Sequence, residues 1–215
     1  MGRGSSSAGG GREPGGGGVN PNNIKNVEEM ISVRNEGNQK QVDDVLTVSR
    51  ELTDKYGTSV ATGGFEIADF TGKDSTTLGC YSPGGGITMN RKFLDNQNMD
   101  KVIDESAKSG YHPSRGKKSG MYAVAAHEYG HSLTENVREK MGEKNFDKAA
   151  ERIVTEARKQ TGDRGNIKFA RNISKYATAS NAETVAEAVT DVMCNGGRAK
   201  KQSKAVVSVI DKYLL

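Results

Sequence analysis

Hydrophobic positions recur at helical spacing through most of the chain beyond residue 40. In Gln41–Tyr56, Val42, Val45, Leu46, Ser49 and Leu52 share one stripe, and Gly57 stops the pattern. Phe65–Phe70 alternates as a short strand. Leu78–Tyr81 and Ile87–Asn90 read as two strands joined by Pro83-Gly84-Gly85-Gly86, a hairpin-like connection with a mobile tip. Asn96–Ser109 reads as a helix with Met99, Val102, Ile103 and Ala107 inward. Gly110–Ser119 is loop-like, and Ser119 suits the N-cap of a helix running to about Val137. That helix opens on Met121-Tyr122-Ala123-Val124-Ala125-Ala126, apolar at every position and comfortable only if buried. Helices follow over Asn145–Gln160, Asn166–Ser174, Asn181–Cys194 and Lys201–Leu214. The last is amphipathic through Ala205, Val206, Val209, Ile210 and Tyr213. A helix, a few strands and then helices predict an α+β fold.

Composition divides the chain unevenly. Nine of its 27 glycines fall in the first 18 residues, so residues 1–37 are expected to be a flexible Gly-rich leader and 38–215 a single domain. Within that domain a helix–strand half (38–118) precedes a helical half (119–215). The leader lacks the apolar stretch of a signal peptide, and no run is long enough to cross a membrane. A cytoplasmic setting is therefore expected from these features. Cys80 and Cys194 make no disulfide framework and read as small buried residues. The net charge of +4 sits wholly in residues 195–215 (Arg198, Lys200, Lys201, Lys204 and Lys212 against Asp211). The remainder balances to zero, so a broad nucleic-acid-binding face is not supported, and the basic end reads as the solvated face of the last helix.

The candidate chemistry lies just after the apolar stretch. Residues 127–131 read His-Glu-Tyr-Gly-His, the H-E-x-x-H pattern of zinc peptidases, and they hold two of only three histidines. On a helix His127 and His131 share a face and can aim two imidazoles at one ion. Glu128 projects about 100° away, where it can reach a metal-bound water as general base without ligating the metal. Gly130, beside the second histidine, leaves room for close packing against this helix.

A catalytic zinc needs a third protein ligand. A more distal histidine is excluded, because Thr134 and Val137 stand where H-E-x-x-H-x-x-G-x-x-H would place Gly and His. His112 sits in a loop upstream and reads as a loop or substrate-side residue. A Glu on a later helix is the other solution. With a spacing of four, one carboxylate can bind the metal while the next hydrogen-bonds a ligand histidine. Glu183 with Glu187 fits, and so does Glu187 with Asp191. Ser180-x-x-Glu183 is also a capping-box pattern, and Tyr176 alone would pass for a core aromatic.

The segment Tyr176-Ala177-Thr178-Ala179-Ser180-Asn181-Ala182-Glu183-Thr184-Val185-Ala186-Glu187 resembles the Y-A-x-x-N-x-x-E-x-x-A-E motif of gluzincin metallopeptidases of the anthrax lethal factor and Pro-Pro endopeptidase type. It also resembles metallopeptidase-like segments of phage minor head proteins. The resemblance covers roughly residues 119–195. It implies a zincin-like fold, with a small mixed or antiparallel sheet on the H-E-x-x-H helix and a helical C-terminal part. It further implies one zinc ion per chain held by His127, His131 and Glu183, with Glu187 behind a ligand histidine. Tyr176 would then be a phenol that assists at the transition state. Thr184-Val185 stand where the family often has an aromatic pair, so the wall of the site is expected to differ.

The expected function is zinc-dependent endopeptidase action on a protein or peptide, with phage particle proteins as candidate partners. The rival is a phage structural or interaction protein whose zinc serves stability alone; the intact Glu128 speaks against it, since a structural site needs no base. The extended substrate is expected to pair with an edge strand, here Ile87, Thr88 and Met89.

Overall fold

A computed structural model describes residues 39–57, 65–72, 76–82, 86–94 and 99–215. The Gly-rich leader and the Pro83-Gly84-Gly85 tip lie outside them. The described residues form an α+β structure, mostly helical, with one three-stranded mixed sheet.

In chain order, α1 (Gln39–Tyr56) precedes β1 (Phe65–Ala68), β2 (Gly79–Ser82) and β3 (Gly86–Asn90). Two helices follow, α2 (Arg91–Leu94) and α3 (Met99–Lys108). The helical half comprises α4 (Gly120–Lys140), α5 (Phe146–Thr161), α6 (Asn166–Ile173), α7 (Asn181–Asn195) and α8 (Lys201–Leu214). A 3-10 turn at Tyr176–Ala179 leads into α7.

The centre of the molecule is α4. Its residues from Gly120 to Val137 are buried almost without interruption, because it packs against α1, α3, α5, α7, α8 and the sheet. Ser119 caps it as its spacing predicts, accepting from the Tyr122 N–H, and Asp100 accepts from the Gly120 N–H. Polar side chains on so buried a helix need partners. Thr134 bonds the Gly130 carbonyl, and Glu135 receives two bonds from Arg138.

Helix α7 lies along α4 at unusually close range. A Cβ on Gly130 would come within 2.6 Å of the Ala186 Cα. No other residue type fits there without moving a backbone. Helix α8 covers the pair with Ala205, Val206, Val209 and Ile210, all buried, and leaves Lys201, Lys204 and Lys212 exposed. Tyr213 is only half-buried. Neither cysteine is bridged; Cys194 is buried and Cys80 half-buried.

Three expectations need correction. The strand order is β1-β3-β2, so β3 is the central strand. It pairs in parallel with β1 and antiparallel with β2, and Ile87 and Met89 are buried. Ile87, Thr88 and Met89 therefore offer no free backbone to a substrate, because both sides of the strand are already paired. On α1 the buried stripe is Val42, Val45, Val48 and Leu52, while Leu46 and Ser49 are half-buried. On α3 Met99 and Ile103 are buried, but Val102 is 41% exposed. A period of 3.6 permits either neighbour at such a step, and tertiary contact decides.

Among the described residues no helix is long and apolar enough to cross a membrane.

Candidate metal centre

Two helices supply the site. His127 and His131 lie one turn apart on α4, with ring centroids 5.1 Å apart. Glu183 lies in the first turn of α7, where Ser180 caps the helix by accepting from the Glu183 N–H at 3.0 Å. The capping pattern is thus used by the Ser180 side chain, while the Glu183 carboxylate turns to the histidines. Its Oε2 is 3.1 Å from His127 Nε2 and 3.7 Å from His131 Nε2.

The donor atoms of His127, His131 and Glu183 all lie within 4.8 Å of one another, and the three side chains are nearly buried. Two imidazoles and a carboxylate are a donor set that zinc favours, and tetrahedral bonds of 2.0–2.1 Å separate donors by about 3.3 Å. The two distances to Glu183 bracket that value. These residues could therefore hold a metal ion, and their chemistry fits zinc.

Glu187, one turn beyond Glu183, does not join the donors. It is buried behind His127 and takes three hydrogen bonds. Its Oε1 lies 3.0 Å from His127 Nδ1 and 2.9 Å from His112 Nδ1, and its Oε2 accepts from Ser174 Oγ at 2.6 Å. Burial alone would raise the Glu187 carboxyl, but the bonds from His112 and His127 outweigh it and bring it down to about 2. An ionised carboxylate only accepts, so both imidazoles carry a proton at Nδ1. For His127 this leaves Nε2 on the side of His131 and Glu183. The alternative pairing of Glu187 with Asp191 is not built. Asp191 accepts from Asn195 and from the Lys200 N–H, joining the end of α7 to the start of α8.

Charge and burial act differently on the two candidate ligand histidines. Burial pushes His127 down, but hydrogen bonds with Glu183 and Glu187 hold it well above the usual imidazole range. His131 is pushed down to about 4, chiefly by burial. Glu128 is buried too, and burial, with the Glu183 charge nearby, lifts its carboxyl to about 7. Strand β2 passes over it at Gly79, where a Cβ would stand 3.3 Å from Glu128 Cγ.

Aromatic rings wall the site on both sides. Tyr81 of β2 stacks on His131 at 6.4 Å, and Phe146 at the start of α5 lies 6.5 Å from the same ring. Beyond His127, Tyr176 has its ring 5.9 Å from that imidazole, 5.0 Å from His112 and 5.4 Å from Tyr111. Tyr81, Phe146 and Tyr111 had no motif to mark them in the sequence. His112 was visible there only as the third histidine.

No protein-family model, curated protein or solved structure matches the chain.

Proposed function

We propose that the protein is a zinc-dependent endopeptidase with a zincin-like fold and a site of gluzincin type. The observation that carries this reading is the convergence of His127, His131 and Glu183 beside a buried Glu128. A purely structural zinc site is closed by four protein donors; here three donors converge, and a further carboxylate, Glu128, feels the charges of His127 and Glu183 without joining them.

Bound there, zinc would supply Lewis acidity toward a water and a scissile carbonyl. The remaining steps belong to the chain itself. Glu128 accepts the proton of the attacking water and returns it to the leaving amine, as a buried carboxylate beside the donors is placed to do. Tyr176, beside His127, donates its phenolic hydrogen to the oxyanion. Glu187 keeps the proton of His127 on Nδ1. Tyr81 and Phe146 exclude water on the His131 side.

The substrate is a protein or peptide. Among the described residues β2 has a neighbour on one side only, and its Tyr81 stacks on a ligand histidine. An extended substrate pairs with this edge, in place of the central β3. Phage particle proteins remain the proposed partners, through the motif resemblance, and a cytoplasmic or virion-associated setting goes with them.

The test is digestion of a diverse peptide library by zinc-loaded protein, read by mass spectrometry. Cleavage is expected, and it should stop with a zinc chelator and return with added zinc. Cleavage that continues after complete metal removal would contradict the reading.

A further inference from the structure

We propose that His112 is a positioning residue of this site, locking Glu187 so that it fixes the ligand His127. The proposal builds on the metal-site reading above.

The loop that carries His112 is built to hold it still. Its Gly110 and Tyr111 carbonyls accept from the Lys175 and Tyr176 N–H groups, at 2.9 Å each. Arg115 makes a two-pronged bond to Asp104 of α3. Asn195, at the end of α7, donates to the Ser114 carbonyl. At Gly116 the backbone takes φ +57°, and a Cβ would fall 2.7 Å from the Cys194 carbonyl oxygen. Helix α3, the Tyr176 segment and helix α7 thus all grip the one eleven-residue connection, 109–119. So many anchors are more than a spacer between α3 and α4 requires.

The anchors place the imidazole at a branch point. Glu187 Oε1 is shared by His112 and His127, and Ser174 takes Oε2. Ser174 Oγ also accepts from the Ala177 N–H, within the Tyr176 turn. The carboxylate has one rotatable arm, and donors on both oxygens remove its freedom. Without His112 it is held by Ser174 and by the very histidine it must orient. The His112 and Tyr176 rings also meet in a T-shaped contact, at 63° between planes, so one side chain braces the ligand side and the phenol side together. His112 is about a quarter exposed and lies 6.4 Å from His127 between ring centroids, outside the donor cluster.

Two substitutions separate the parts. His112→Asn places an amide N–H near the Nδ1 position and loses the ring. His112→Phe keeps the ring and loses the donor. Zinc affinity is measured by competition with a chelating dye, using zinc alone as the probe. His112→Phe is expected to weaken zinc by roughly 10- to 100-fold, the usual cost of removing a partner behind a ligand. His112→Asn is expected to restore most of that affinity. In metal-free protein, nitrogen spectra of labelled histidine resolve the chain's three imidazoles. His112→Phe should move the His127 Nδ1–H resonance, and His112→Asn should leave it near its original position. Wild-type zinc affinity and an unmoved His127 signal in His112→Phe would overturn the proposal. Failure of the wild type to bind zinc would instead sink the metalloprotease reading, and the metal-free spectra would still decide the role of His112.

Discussion

Glu128→Gln is expected to keep its zinc and to lose peptide hydrolysis by about 10²- to 10⁴-fold, the usual worth of a positioned general base. The change is nearly isosteric, which matters because the side chain is 7% exposed and lies under β2 at Gly79. A truncation to Ala would open a void there and mix a packing effect with the chemical one. Gln keeps the volume and removes only the proton acceptor. Each decade of rate is about 1.4 kcal/mol of transition-state stabilisation, so the expected loss is about 3–6 kcal/mol. The decisive comparison is kcat on a cleaved peptide beside zinc content. Cleavage at the wild-type rate with full zinc would remove Glu128 from the reaction.

Gly130→Ala is expected to damage fold and site together. In a helix interior Ala is favoured over Gly by about 1 kcal/mol, so a helix considered alone gains from the change. Here the new Cβ would meet the Ala186 Cα at 2.6 Å, and backbone cannot swing aside as a flexible side chain can. Overpacking of this kind costs about 1–3 kcal/mol, occasionally more, which offsets the propensity gain and exceeds it. Relief requires α4 and α7 to separate, and those helices carry His131 on one side and Glu183 and Glu187 on the other. Calorimetry should show a Tm lower by several degrees, since about 1 kcal/mol moves a domain of this size by roughly 2–4 °C. Zinc affinity should fall by about tenfold or more. Gly197→Ala is the control, because nothing lies within 4 Å of a Cβ there. An unchanged Tm and unchanged zinc affinity in Gly130→Ala would show that the close helix contact is not needed.

The helical half of the molecule was largely legible in the sequence, because its signals are local. Ser119, Asn145 and Ser180 cap the helices that follow them, and the apolar run before His127 announces a helix buried on every side. The donor cluster was legible only in part: a spacing of four pairs His127 with His131 but leaves Glu183 with Glu187 and Glu187 with Asp191 equally open, and the motif resemblance alone pointed to Glu183. What failed to show was whatever depends on elements meeting from afar. Strand β3 reads as an edge when only its own residues are considered, but β1 closes the side that β2 leaves open. Val48 lies inward and Val102 outward, because neighbouring elements choose between positions that helical periodicity treats alike. His112 meets Glu187 across 75 positions, and a loop carries no period from which such a contact could be read.

The most direct test of the metal centre is the zinc content of wild type, Glu183→Ala and Glu187→Ala after dialysis against metal-free buffer. About one zinc per chain is expected in the wild type and none in Glu183→Ala, while Glu187→Ala should bind zinc more weakly. A wild type without zinc, or a Glu183→Ala protein that keeps a full equivalent, would contradict the site.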